Sequence, residues 1–193
     1  TAVKKDKFYT LVFDGAMSHA DVYINGEEVV YWPYGYNTFD CYILPHLITG
    51  DSVDIDVFLE NKPQQSRWYP GAGLYRNVHL VESNPIHIPT FGILIRTPKV
   101  SRHQAQITIE VELQNGVDSI SAQEAGVEIK TELWREGVIV ATAMGQKAVT
   151  EVNLPQLWSP ETPNLYTART IVMRDGKILD EQETRFGIRS IKY

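Results

Sequence analysis

Arg67, Trp68 and Tyr69 are the residues of this chain whose types and spacing most invite a chemical reading. Within three positions they offer a guanidinium fork of donors and two π faces. Pro70-Gly71 then reverses the chain, and Gly73 permits a backbone conformation that a side chain would block. Val78 and Leu80 follow as part of an apolar strand. The same residues also suit a turn held by a structural arginine, and a short motif alone does not separate the two readings. Arg76, just ahead of that strand, reads as an internal salt-bridge or backbone-capping residue.

Other chemistries find less support. Glu27 and Glu28 flank a hairpin turn, Asp54 and Asp56 occupy the polar face of a strand, and Glu181 with Glu183 decorate another, all in the manner of solvated faces. His19, His46, His79, His87 and His103 are scattered without paired ligand spacing, so no zinc site is expected. Ser18 beside His19 lacks a nucleophile-elbow sequence, and the Gly71-Ala72-Gly73 run opens no helix that could cradle a phosphate. No cofactor signature is found.

Composition narrows the field further. The 193 residues, 43% hydrophobic and 22% charged, suffice for one large or two small domains. A net charge of −6 without a basic run argues against a nucleic-acid partner. No apolar run approaches the roughly 20 residues of a spanning helix, and no basic-then-apolar leader opens the sequence. The chain starts at Thr1, which leaves the compartment unknown, with the bacterial periplasm or cytoplasm the most plausible. Cys41 is the single cysteine, excluding an internal disulfide and reading as a small buried residue.

The elements that must position these residues read as strands almost throughout. Phe8 to Phe13 is a nearly continuous apolar run, expected in a central strand covered on both faces. Ala20, Val22 and Ile24 alternate with polar neighbours before Asn25-Gly26, the strongest two-residue hairpin signal, and Val29 to Trp32 is the returning strand. The aromatic stretch Tyr31 to Tyr36 reads as a loop that either lines the core or stacks on sugar. Val53 to Leu59 and Val78 onward complete about five strand-like runs before Ser83. Asn84-Pro85 marks a boundary, so the domains are read as 1–83 and 84–193. Beyond it Ile86 to Ile95 suits an edge or crossing segment. Ile107 to Leu113, Val127 to Leu133, Val138 to Ala141, Val149 to Leu154, Leu165 to Met173 and Ile178 to Phe186 follow, with turns at Asn115-Gly116, Glu136-Gly137 and Asp175-Gly176. No helical period is sustained. The second part therefore reads as an immunoglobulin-type sandwich of seven strands, and the first as too short for a complete jelly roll.

Five stretches carry a resemblance: LVFDGAMSHADVYINGEEV, GYNTFD, RWYPGAGLYRNVHL, LWSPETPNLYT and TRFGIRSIKY. In this order they resemble glycoside hydrolase family 2, the β-galactosidase and β-glucuronidase family. The resemblance implies a jelly-roll sugar-binding domain, then an immunoglobulin-like sandwich, then a TIM barrel carrying two catalytic glutamates. On that reading the fold class is all-β, with the latter part of the jelly roll at 1–83 and the whole sandwich at 84–193. A retaining glycosidase needs its two carboxylates about 5 to 5.5 Å apart, and both belong to the barrel. No catalytic residue and no hydrolysis are expected from these 193 residues alone.

The resemblance further implies that the turn at Arg67, Trp68 and Tyr69 faces the barrel and helps wall the substrate pocket. Arg67 would touch sugar or orient a barrel carboxylate, while Trp68 and Tyr69 would stack on sugar or pack between domains. The Leu157 to Tyr166 segment would form a rigid corner with Trp158 in the core. The partners implied are a β-glycoside, most simply a β-galactoside, and the barrel in cis. A jelly roll lacking its opening strands would leave an exposed edge, so dimerisation through the first domain is expected. The alternative is a freestanding carbohydrate-binding or adhesion module that uses Tyr31 to Tyr36 as its sugar platform.

Overall fold

The apolar run Phe8–Phe13 forms β1, which lies between β4 (Phe39–Ile43) and β6 (Val78–Ser83) in a three-stranded antiparallel sheet. Its central place explains its composition: Tyr9, Leu11 and Phe13 enter the core, and Phe8 and Thr10 are buried as well. The computed structural model that establishes this describes residue 4 and residues 6–44, 46, 48, 52–62 and 71–191. Arg67, Trp68 and Tyr69 lie outside the described residues. The chain divides into two compact units, Thr1–Pro85 and Ile86–Tyr193.

In the first unit the second sheet has the order β3 (Glu27–Trp32), β2 (Ala20–Ile24), β5 (Ile55–Leu59). Asn25 and Gly26 join β2 to β3 with φ of 48° and 83°, the two positive angles that a two-residue turn matching strand twist requires. Ala20, Val22 and Ile24 of β2 are fully buried and face Leu11, Phe13, Phe39 and Cys41 in one cluster. Phe13 stacks on Phe39 at 4.8 Å, and Phe39 stacks on Trp32 at 5.5 Å, so the rings of β1, β4 and β3 close one flank of the sandwich. β4 is a sixth strand beyond the five expected. Its signal is present, since Phe39, Cys41 and Ile43 are buried in strict alternation, but the preceding aromatic loop masked where the strand begins.

The second unit sets a four-stranded sheet against a three-stranded one. The four are β13 (Val138–Met144), β12 (Glu128–Arg135), β15 (Tyr166–Arg174) and β16 (Lys177–Phe186). The three are β14 (Lys147–Asn153), β9 (Gln104–Val111) and β8 (Ile93–Val100). Ile107, Ile109 and Val111 of β9 and Val152 of β14 meet Ile129, Leu133, Ala168 and Val172 of the facing sheet in one core. Thr131 and Thr170, paired across β12 and β15, share a buried 3.0 Å hydrogen bond that satisfies both hydroxyls inside it. The turns at Glu136-Gly137 and Asp175-Gly176 also have both residues at positive φ.

A small sheet of β7 (Ile86–His87), β10 (Gln114–Asn115) and β11 (Asp118–Ser119) completes the unit. The one helix among the described residues, α1 (Ala122–Ala125), is a single turn capped by Ser121 and Glu124. The chain is thus nearly all β, as its period-two patterning requires. Two expectations give way. β14 ends at Asn153, and Leu154 turns out with φ 46° and 73% exposure rather than extending the strand. Trp158 is half-buried on an open groove and not in the core.

Candidate functional site

The segment at 71–75 is stitched to two other loops of the first unit. Gly73 and Met17 exchange backbone hydrogen bonds of 3.0 and 3.1 Å, with Gly73 at φ 149°, a conformation L side chains rarely adopt. The phenol of Tyr75 donates to the Gly35 carbonyl at 2.7 Å and packs on Gly15, where a Cβ would stand 2.8 Å from the ring. Three stretches distant in sequence, at 15–19, 31–36 and 71–75, therefore meet in one place. Arg76 lies 5.3 Å from the Tyr75 ring centroid in a cation–π contact, and forms no ion pair among the described residues. The salt-bridge or backbone-capping role expected of it is not seen among the described residues.

Around this junction the aromatic loop divides by direction. Trp32 turns inward onto Phe39, whereas Tyr31, Tyr34 and Tyr36 are 49%, 54% and 54% exposed. Tyr34 and Tyr36 meet edge to face at 5.6 Å. His19, at φ 48°, places Nδ1 2.6 Å from the Tyr31 hydroxyl, and its backbone N–H donates to Pro33 O at 3.2 Å. Ser18 donates its hydroxyl to Glu60 O at 3.1 Å, and Glu60 N–H donates back to Ser18 O at 3.0 Å. The groups this junction turns to solvent are thus chiefly the phenol rings of Tyr31, Tyr34 and Tyr36. Sequence reading missed the pairing of His19 with Tyr31, since nothing in their spacing announces it.

Several of the acidic residues singled out in the sequence are held by partners among the described residues. Glu181 is gripped bidentately by Arg169, at 2.8 and 2.7 Å, and this fork holds its carboxyl below the usual range. Glu27 lies 3.5 Å from His46 Nε2, and Asp54 N–H is bound by the Asn25 side chain at 2.9 Å. Glu132 is buried, with Lys130 at 2.6 Å and Trp134 Nε1 donating at 3.1 Å, and these bonds likewise lower its pKa. The imidazole of His79 pairs with Asp14 at 3.0 Å, and His87 is buried in β7. Among the described residues no three His, Cys, Asp or Glu side chains converge as metal ligands.

In the second unit, the corner from Leu157 to Tyr166 is rigid through its own hydrogen bonds. Asn164 Nδ2 donates to Leu157 O at 2.9 Å, and Gln156 N–H donates to the buried Tyr166 hydroxyl at 2.9 Å. Trp158 N–H donates to Ile188 O at 2.9 Å, so the indole lies along Gly187 and beneath Arg189, whose guanidinium carbon is 4.7 Å from the ring centroid. Trp158, Gly187 and Arg189, with Arg96, Thr97 and Arg185, line an open groove of about 540 Å³. The Leu157–Tyr166 and Phe186–Ile191 motifs thus serve each other.

Two units of packed antiparallel strands define an all-β protein, and comparison with known proteins fixes the family. The profile described as Glycosyl hydrolases family 2 matches residues 87–189, more than half of the chain. The chain belongs to glycosyl hydrolase family 2. It is 34% identical over 196 residues to a beta-galactosidase of Bacteroides ovatus, covering 95% of this chain and 23% of that protein. To a beta-glucuronidase of Formosa agariphila it is 29% identical, over 98% of this chain and 22% of that one. The crystal structure of a beta-glycosidase from Bacteroides vulgatus superposes with a TM-score of 0.87 at 30% identity, across 100% of this chain and 25% of its own. The chain spans less than a quarter of the length of these curated relatives.

Proposed function

We propose that this chain is the non-catalytic N-terminal portion of a retaining glycosidase acting on terminal β-glycosides, β-galactosides first among them. The observation that carries the reading is the alignment of nearly the whole chain with about a quarter of family 2 enzymes. The tying of Glu132 and Glu181 into ion pairs supports it, because neither is available as acid or nucleophile. The first unit is the latter part of a jelly roll. The second is an immunoglobulin-type sandwich, supported by its four-against-three strands and by Tyr166 at the start of β15, bonded back to Gln156 as in a tyrosine corner.

Its work is to support a barrel in cis and to wall that barrel's pocket with Arg67, Trp68 and Tyr69. Assay of the isolated chain and of the full gene product on aryl β-galactoside and aryl β-glucuronide tests this. The isolated chain is expected to be inactive and the full product active. In the full product Arg67→Ala is expected to raise KM or lower kcat without loss of fold. Turnover by the 193 residues alone would overturn the proposal.

A second reading, a carbohydrate-binding surface, is favoured by the exposure of Tyr31, Tyr34 and Tyr36. It predicts that the isolated chain binds neutral galactosides in calorimetry and that Tyr36→Ala removes the binding.

A further inference from the structure

Asn-Gly occurs twice in the chain, at Asn25-Gly26 and Asn115-Gly116, each time in a tight turn between antiparallel strands. An asparagine before glycine is open to attack on its own carboxamide, because the glycine has no Cβ to shield the backbone nitrogen that attacks. The two turns hold that carboxamide very differently.

Asn25 is locked. Its side-chain oxygen accepts the Asp54 N–H at 2.9 Å, and its own backbone N–H donates to the Asp54 carbonyl at 2.9 Å. It also continues β2, which is flanked by β3 and β5 and buries Ala20, Val22 and Ile24 completely. Turning the carboxamide toward Gly26 would break the bond to Asp54.

Asn115 has no such restraint. It is exposed, and its side chain has no hydrogen-bond partner among the described residues. Gly116, at φ 63°, and Val117, 46% exposed, join β10 to β11, strands of two residues each. Only the pairs Gln114 with Ser119 and Asn115 with Asp118 make up that ribbon, and so short a ribbon opens at little cost. Below it Ile120 N–H donates to the carbonyl of buried Leu113 at 3.0 Å, so the turn can open while the core stays closed.

We propose that Asn115 is a site of spontaneous deamidation, and that the fold directs this reaction to Asn115 and away from Asn25. The Gly116 backbone nitrogen gives its proton to hydroxide and attacks Cγ of Asn115. The Cγ–Nδ2 bond breaks, Nδ2 leaves as ammonia after taking a proton from water, and a cyclic imide joins the two residues. Water then adds to one imide carbonyl. Cleavage on the Cγ side gives aspartate, and cleavage at the backbone carbonyl gives isoaspartate, in which the chain runs through the former side chain. Either product sets a new carboxylate opposite Asp118, where like charges repel, on a residue that also pairs with Ile86 of β7. The reaction is internal to Asn115 and Gly116 and consumes only water, so it requires no partner and no vacant face, and it is independent of the glycosidase reading.

Mass spectrometry after incubation of the native chain at mildly alkaline pH reads the outcome, because the tryptic peptide 103–130 holds Asn115 as its only asparagine. That peptide is expected to exchange an NH for an O in mass and to resolve into aspartyl and isoaspartyl forms, while the peptide with Asn25 stays unmodified. In guanidinium the two asparagines are expected to convert at similar rates, since the fold no longer separates them. Asn115→Gln, whose longer side chain closes the ring poorly, is expected to lose the mass change in that peptide. An Asn115 that stays intact in the native chain while converting in guanidinium would overturn the proposal. So would an Asn25 that converts as fast as Asn115 in the native chain.

Discussion

The hydroxyl of Tyr75 reaches 2.7 Å to the carbonyl oxygen of Gly35, forty residues earlier, and its ring lies against Gly15. One side chain therefore holds together the three loops at the junction of the first unit.

Removing only that hydroxyl tests its weight. Tyr75→Phe leaves a partly buried carbonyl without its donor, and is expected to lower the stability of the first unit by about 1 kcal/mol. Gly15→Ala pushes a methyl into the ring and is expected to cost more, in the range of about 1–3 kcal/mol for overpacking. Denaturant titration of both variants checks the order, and a neutral Gly15→Ala would contradict the packing described.

Gly187 plays the matching part in the second unit. A Cβ there would lie 2.8 Å from Cβ and Cγ of Trp158, atoms near the backbone that cannot swing aside. Gly187→Ala is expected to destabilise the second unit by about 1–3 kcal/mol and to shift Trp158 fluorescence to the red as the indole is displaced. An unchanged emission maximum would show that the corner absorbs the methyl.

Glu132 supplies a pH signature. Its carboxyl is held below the usual range, first by the Lys130 hydrogen bond, so the unfolded chain binds its proton at higher pH than the folded one. The stability it contributes is present above the ordinary glutamate value of about 4.3 and is lost as pH falls through the lower folded value. Glu132→Gln is expected to be less stable than wild type at neutral pH, with the difference shrinking in acid. A constant difference across the range would deny the linkage.

Cys41 is buried, and burial pushes its thiol up to about 12. Little thiolate exists at pH 8, and alkylation of the native chain is expected to be slow and limited by opening of the first unit. Rapid labelling by iodoacetamide in the absence of denaturant would show that the β4 edge opens far more readily than its packing implies.

Much of the architecture is legible in the sequence because it depends on neighbours. Alternation along β2, β9 and β12, positive-φ turns at Asn25-Gly26, Glu136-Gly137 and Asp175-Gly176, and the unbroken apolar β1 are local consequences of side-chain period and backbone sterics. The family was legible too, since five motifs in order survive without any knowledge of their contacts. What only tertiary structure decides is which distant groups meet. That Tyr75 seats Gly35, that His19 binds Tyr31, and that Trp158 lies under Arg189 on a groove instead of in the core follow from strand order and sheet closure. Side-chain type fixes what a residue can do, and the path of the chain fixes what it does it to.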